Sequence, residues 1–171
     1  DMSGITVVEF ENSVYSEEVY LSDLSDGPPY TVHGVALGAN DVTRGKSGIK
    51  KKWPAEELKV AAESLQGTNL VVDHDNSAHG VVGRVTKAGY KNDTGVVYEA
   101  ELFDDDLAEK VDKGLLEVSV RGLHEDVDSL EEDPDSEALI VEGIEFKNLS
   151  IVPSGAAPSN TLQMGEHAEL S

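Results

Sequence analysis

Runs of β-branched and aromatic residues, several alternating with polar ones, recur along this chain and are broken by glycine, proline and aspartate. Ile5 to Glu11 is the first, and Glu18-Val19-Tyr20-Leu21 can pair with a neighbour before the turn signal Asp26-Gly27-Pro28-Pro29. Tyr30 to Leu37 predicts a strand, and the polar, glycine-containing stretch from Asn40 to Lys52 predicts a loop. The period then changes. Leu58, Ala61, Ala62 and Leu65 share one face at helical spacing, with Pro54 in the first turn, Glu56 and Glu57 where the helix dipole favours anions, and Gly67 as the stop. This pattern predicts a helix lying over a sheet, and it leads directly into the apolar run Asn69-Leu70-Val71-Val72.

Beyond that run, Gly80 to Val85 and Val96 to Phe103 predict a hairpin turning through Asn92-Asp93-Thr94-Gly95. Asp104 is placed to cap a second short helix, Asp105 to Lys113, with Leu107 and Val111 inward and Gly114 as its stop. The acidic, proline-containing stretch Val127 to Glu137 predicts an exposed loop. Ala138 to Val141 and Phe146 to Val152 are the last apolar runs, and the small, polar tail is expected to be loosely held. About eight short strands and two helices predict a mainly β fold with flanking helices (α+β), a closed or nearly closed antiparallel β-barrel. One barrel domain would span 1–158 and the loose tail 159–171.

Charge changes the picture next. Acidic residues outnumber basic ones 34 to 13 across 171 residues, a formal charge of -21, yet 39% hydrophobic residues leave enough apolar surface for a core. Phosphates would be repelled, so nucleic-acid binding is not expected. An acidic, lysine-poor surface suits solubility at very high salt, which suggests a halophilic source. The four lysines between Asn40 and Lys52 form a basic island, which reads as a solvated loop or a contact for an acidic partner. The absence of cysteine excludes a disulfide framework, a thiolate nucleophile and cysteine zinc ligands. No apolar run approaches membrane-spanning length and no signal pattern opens the chain, so a soluble intracellular protein is expected.

The candidate chemistry lies in two stretches. Leu70-Val71-Val72-Asp73-His74-Asp75 ends in a histidine between aspartates, and Glu117-Val118-Ser119-Val120-Arg121-Gly122 is a short β-like run with a central serine. Serine needs an imidazole within hydrogen-bond reach to become a nucleophile, so a histidine and a serine at the ends of neighbouring strands would suit acyl transfer. Asp73, His74, Asp75, His79 and His124 could alternatively be read as a metal cluster, but their spacing matches no specific motif, and neither a metal nor a cofactor is expected.

Several segments together resemble a known family. Val71-Val72-Asp73-His74-Asp75, then Gly80-Val81-Val82-Gly83-Arg84-Val85, then Asp106 through Ser119 across the short helix, and finally Phe146 to Pro153 with Ala156, Ala157 and Pro158 are similar to the prohead maturation proteases of tailed viruses, which resemble herpesvirus assemblins in fold. The resemblance runs from about Tyr30 to Pro158. It implies a serine endopeptidase with Ser119 as nucleophile and His74 as general base. The third member is usually acidic and falls here on Asn148, so Asn148, Glu145, Glu142 or Asp75 is left to orient or charge-stabilise the imidazole. Arg121 and Gly122 resemble the basic, glycine-containing turn that supplies the assemblin oxyanion hole. His124, five residues after Ser119, reads first as an exposed histidine, with the second histidine that assemblins can use as the alternative. The implied substrates are the scaffold and major capsid proteins, and the chain itself, inside the assembling prohead in the host cytoplasm. A homodimer or a shell-associated oligomer is the implied assembly. The departure at Asn148 keeps open a second reading, a weakly active or inactive structural component of the particle.

Overall fold

The computed structural model describes residues 27–45 and 47–167. The paired runs expected at 5–11 and 18–21 lie outside the described residues. The main sheet contains β1 (Tyr30–Gly38), β4 (Asn69–Val72), β5 (Val81–Lys91), β6 (Gly95–Leu102), β7 (Glu117–Leu123), β9 (Glu145–Val152) and β10 (Gln163–Met164), in the order β10-β1-β6-β5-β4-β9-β7. A smaller sheet pairs β2 (Val42–Arg44), β3 (Lys50–Lys52) and β8 (Leu139–Ile140).

The fold is mainly β with two short helices, and the large sheet curls into an open half-barrel. Helix α1 (Ala55–Ala61) continues as a 3-10 turn (Ala62–Leu65) and buries Leu58, Ala61, Ala62 and Leu65, the face expected from the sequence. Pro54 sits one position earlier than expected, as the N-cap, and Gly67 takes the left-handed conformation at φ +86°. Helix α2 (Asp105–Asp112) starts where the Asp104 carboxylate accepts from the Leu107 amide at 2.9 Å and ends before Gly114 at φ +73°. It turns Ala108 and Val111 into the core. Leu70, Val85, Tyr98, Val118, Leu149 and Ile151 meet these residues on the concave face. Each fully buried Leu or Ile stabilises the fold by about 1.5 to 3 kcal/mol.

Four expectations change. The barrel is not closed, because the tail passes between its two edges: Asn160 Oδ1 accepts from the Val118 amide of β7, and the Thr161 amide donates to the Val35 carbonyl of β1. The tail beyond Pro158 is therefore docked as far as it is described, with Leu162 buried, β10 paired to β1, and Gly34 leaving room for the Thr161 carbonyl, which a Cβ would meet at 2.0 Å. The sheet is not wholly antiparallel either. β9 runs parallel to β4, with Val71 beside Ser150, because the chain makes two further strands, a helix and β7 before returning in the same direction.

The polar stretch 40–52 is not a plain loop but the hairpin β2–β3, and β8 joins it in parallel. The acidic stretch 127–137 is largely exposed, as expected, with Asp133 as its anchor. Asp133 is buried, its carboxylate accepts from the Ser136 hydroxyl at 2.6 Å, and it lies 3.8 Å from the Lys52 ammonium. The segment keeps its exposed surface while one aspartate acts as an internal cap that satisfies a turn. Among the described residues, no helix is long and apolar enough to cross a membrane.

Candidate active site

Three strands side by side set the site: β4, β9 and β7. β4 and β7 are thus not neighbours, as the sequence suggested, since β9 runs between them and serves both. On β9, Ser150 is wholly buried and stands opposite Ser119 of β7. Its Oγ also accepts from the His74 backbone amide at 2.7 Å, just past the end of β4. The same position on β9 therefore fixes the backbone of both candidate residues. Ser119 lies inside its strand rather than at the end, half-buried, while His74 is exposed on a turn.

That turn is conformationally costly. Asp73 and His74 both take left-handed dihedrals, φ +52° and +58°, which cost an L-residue about 1 kcal/mol or more each. The Asp73 amide donates to the Ile151 carbonyl at 2.9 Å and the Asp75 amide to the Val72 carbonyl at 2.9 Å, so strands β4 and β9 hold the strain in place. Two consecutive strained residues aim the imidazole away from the strand direction, where an extended continuation would carry it along the sheet.

Ser119 and His74 line one open cleft of about 630 Å³, with Asn76, Arg121, Gly122 and His124. Its opposite wall comes from the β2–β3 hairpin through Thr43, Arg44, Lys51 and Trp53, and Ser154 to Ala156 close one end. Gly155 lies so near β7 that a Cβ there would meet the Val118 carbonyl at 2.2 Å. The Trp53 indole donates to Thr43 Oγ1 at 2.9 Å and meets the His124 ring edge-on at 6.2 Å. His124 Nδ1 donates to the Glu125 carbonyl, leaving Nε2 to accept from the Lys51 ammonium at 2.9 Å. His124 thus ties the hairpin to the end of β7.

The residues considered for third member fall in different places. Asn148 is buried beside the cleft, opposite Arg121, and its Nδ2 donates to Asn76 Oδ1, while its own Oδ1 is buried without a donor. Asp75 accepts from the Ser77 amide at 2.9 Å. Ser77, through its side chain and then its backbone, holds the Asp75 carboxyl below the usual aspartate range, so this carboxylate serves the following turn. Glu145 is exposed and paired with Lys147 at 3.0 Å. Glu142 is exposed, and its carbonyl accepts from the Glu125 amide. None of Asp75, Glu142 and Glu145 lines the cleft.

Arg121 and Gly122 belong to β7 itself rather than to a turn after it, and the pairing with β9 slips between them. A bulge of this kind re-aims backbone amides without ending the strand. Two participants escaped the sequence reading: Ser150, hidden as one more small residue of a strand, and Asn76, two residues past His74. The only signal for Ser150 was its place in the run that also holds Asn148. Among the described residues, no three His, Asp or Glu gather into a group able to hold a metal ion.

No family model matches the chain, and no curated protein matches it. Among solved structures, the chain is similar to the Kaposi's sarcoma herpesvirus protease, solved in complex with an allosteric inhibitor, at 12% identity and a TM-score of 0.49 over 81% of this chain and 77% of that one. It is also similar to the bacteriophage T4 capsid assembly protease, at 16% identity and a TM-score of 0.42 over 74% of this chain and 99% of that one.

Proposed function

We propose that this chain is a serine endopeptidase that cleaves scaffold and capsid proteins, and itself, within an assembling viral prohead. The observation that carries the reading is the convergence of Ser119 and His74 on one cleft, each fixed through Ser150, with His74 on a strained turn. Strain at two successive residues persists only where the surroundings over-determine it, and such strain concentrates at functional sites. The choice of substrate rests on the segments around His74, Ser119 and Asn148 that resemble prohead proteases.

In this mechanism the Ser119 hydroxyl attacks a peptide carbonyl while His74 takes its proton, and the imidazolium then returns that proton to the leaving amine. Water, deprotonated by the same histidine, releases the acyl group and restores the serine. Backbone amides at the Arg121–Gly122 bulge hold the oxyanion, with the Arg121 guanidinium adding positive charge nearby. Asn148 is the third member by position. It supplies hydrogen bonding without the negative charge that would stabilise the imidazolium.

One observation favours the second reading, a weakly active or inactive structural component: among the described residues, no carboxylate lines the cleft to support His74. The deciding experiment is mass spectrometry of the purified protein after exposure to a fluorophosphonate, beside Ser119→Ala and His74→Ala. A single adduct at Ser119, absent from the first variant and slowed at least ~100-fold in the second, is expected for a base-activated serine. A folded protein that takes no adduct would move the assignment to the structural reading.

A further inference from the structure

We propose that the cleft is built for acidic peptide segments, with Arg44 and Lys51 of the β2–β3 hairpin facing Arg121 of β7 as its anion-recognising groups. This deepens the peptidase reading and rests on it for the location of the scissile bond. The observation is one of charge distribution. Asp and Glu make up 34 of 171 residues, so a patch as large as the cleft lining would be expected to hold about three of them. The described lining holds none, while it includes Arg44, Lys51 and Arg121 from a chain with only 13 basic residues. The basic island seen in the sequence is therefore not scattered over solvent; the β2–β3 pairing brings part of it to face β7.

The cations are also positioned. Lys51 is half-buried, and its ammonium is held by His124 Nε2, an acceptor with no charge to neutralise it. The Arg44 guanidinium donates to the Gly48 carbonyl at 2.7 Å, again a neutral partner that leaves its charge available. None of Arg44, Lys51 and Arg121 forms an ion pair among the described residues. Lys52, the neighbour of Lys51, turns instead to Asp133 and serves the fold. A protein of charge -21 repels an acidic chain at long range, and a local cluster of uncompensated cations is what would reverse that repulsion at contact. Trp53 and His124, packed edge to face, add aromatic surface to the same lining for the peptide itself.

The test measures binding apart from catalysis. Fluorescence anisotropy with Ser119→Ala would compare labelled peptides rich in glutamate with isosteric glutamine versions, at KCl concentrations where circular dichroism shows the protein folded. The glutamate peptide is expected to bind about tenfold more tightly at the lowest such salt, with the advantage shrinking as KCl rises. Arg44→Gln and Lys51→Gln should each remove most of it, whereas Lys87→Gln, a charge change outside the cleft lining, should not. Equal binding of the two peptides, or an equal loss with Lys87→Gln, overturns the proposal. An adduct on Ser119 with charge-blind binding would keep the peptidase and discard the acidic specificity. Charge-selective binding with no adduct on the unmodified protein would do the reverse.

Discussion

The two walls of the cleft are held by different physics. The wall carrying His74 and Ser119 is three strands of the main sheet, backed by Leu70, Leu149, Ile151 and Val118, all essentially inaccessible to solvent. The facing wall, β2, β3 and β8, is held largely through polar contacts: Lys50 to the Ser136 carbonyl at 3.3 Å, Lys51 to His124, and Lys52 to Asp133. Close-packed apolar walls have one arrangement and keep reacting groups in register. A wall joined by partly solvated charges responds to pH, salt and ligand. The proposed nucleophile and base thus sit on the stiff side, and two of the three proposed anion-recognising groups, Arg44 and Lys51, on the adjustable side.

Breaking the stiff wall should have the largest effect. Leu149→Ala removes buried side chain from the middle of β9 and should cost about 3 kcal/mol, read as a lower urea midpoint with an unchanged slope. Ser150→Ala is smaller, about 1 to 2 kcal/mol, because it deprives the His74 amide of its acceptor in a partly solvated place. Its sharper readout is kinetic: labelling of Ser119 should slow at least ~10-fold while the protein stays folded, since misplacing the base by a fraction of an ångström weakens proton transfer.

Loosening the polar wall should barely move global stability. Asp133→Ala is expected to speed hydrogen exchange around β3 and β8 while leaving β4 and β9 protected. If it lowered the urea midpoint as much as Leu149→Ala, the contrast between the walls would be lost. The smallest effect is the pH dependence of that same wall. The Ser136 hydroxyl, then its amide and Lys52, hold the Asp133 carboxyl below its ordinary value of 3.8. Because folding depresses this value, the contribution is fully present above it and is lost as pH falls through the depressed value. Exchange at β3 and β8 should therefore be flat from neutral pH to about 4, after correction for intrinsic rates, and rise below that; Asp133→Asn should abolish the step.

Much of the molecule was legible because local rules sufficed. The apolar stripe Leu58, Ala61, Ala62 and Leu65, the Asp104 cap and the stops at Gly67 and Gly114 each depend on residues a few positions apart, and all appear where the pattern placed them. The paired tip at Asn92 to Gly95 follows from the same short-range chemistry, with Asp93 and Gly95 at positive φ. His74 and Ser119 could be singled out only together, because the runs that hold them resemble those of prohead proteases.

Pairing partners are set otherwise. Nothing near Ser150 states that it will stand between Ser119 and the His74 amide, since that follows from β9 entering between β4 and β7. The tail looked loose because its residues are small and polar, yet Asn160 and Thr161 satisfy two sheet edges and keep the barrel open. The lysine-rich stretch looked like a solvated loop until β8 gave the hairpin a parallel partner. The sequence by itself determined both helices and most of the longer strands, because periodicity and capping act over one or two turns of chain, and its resemblance to prohead proteases marked the serine and histidine worth watching. Only the tertiary structure decided that the two residues share a cleft whose described lining holds no acid, because burial and charge environment are sums over segments far apart in sequence.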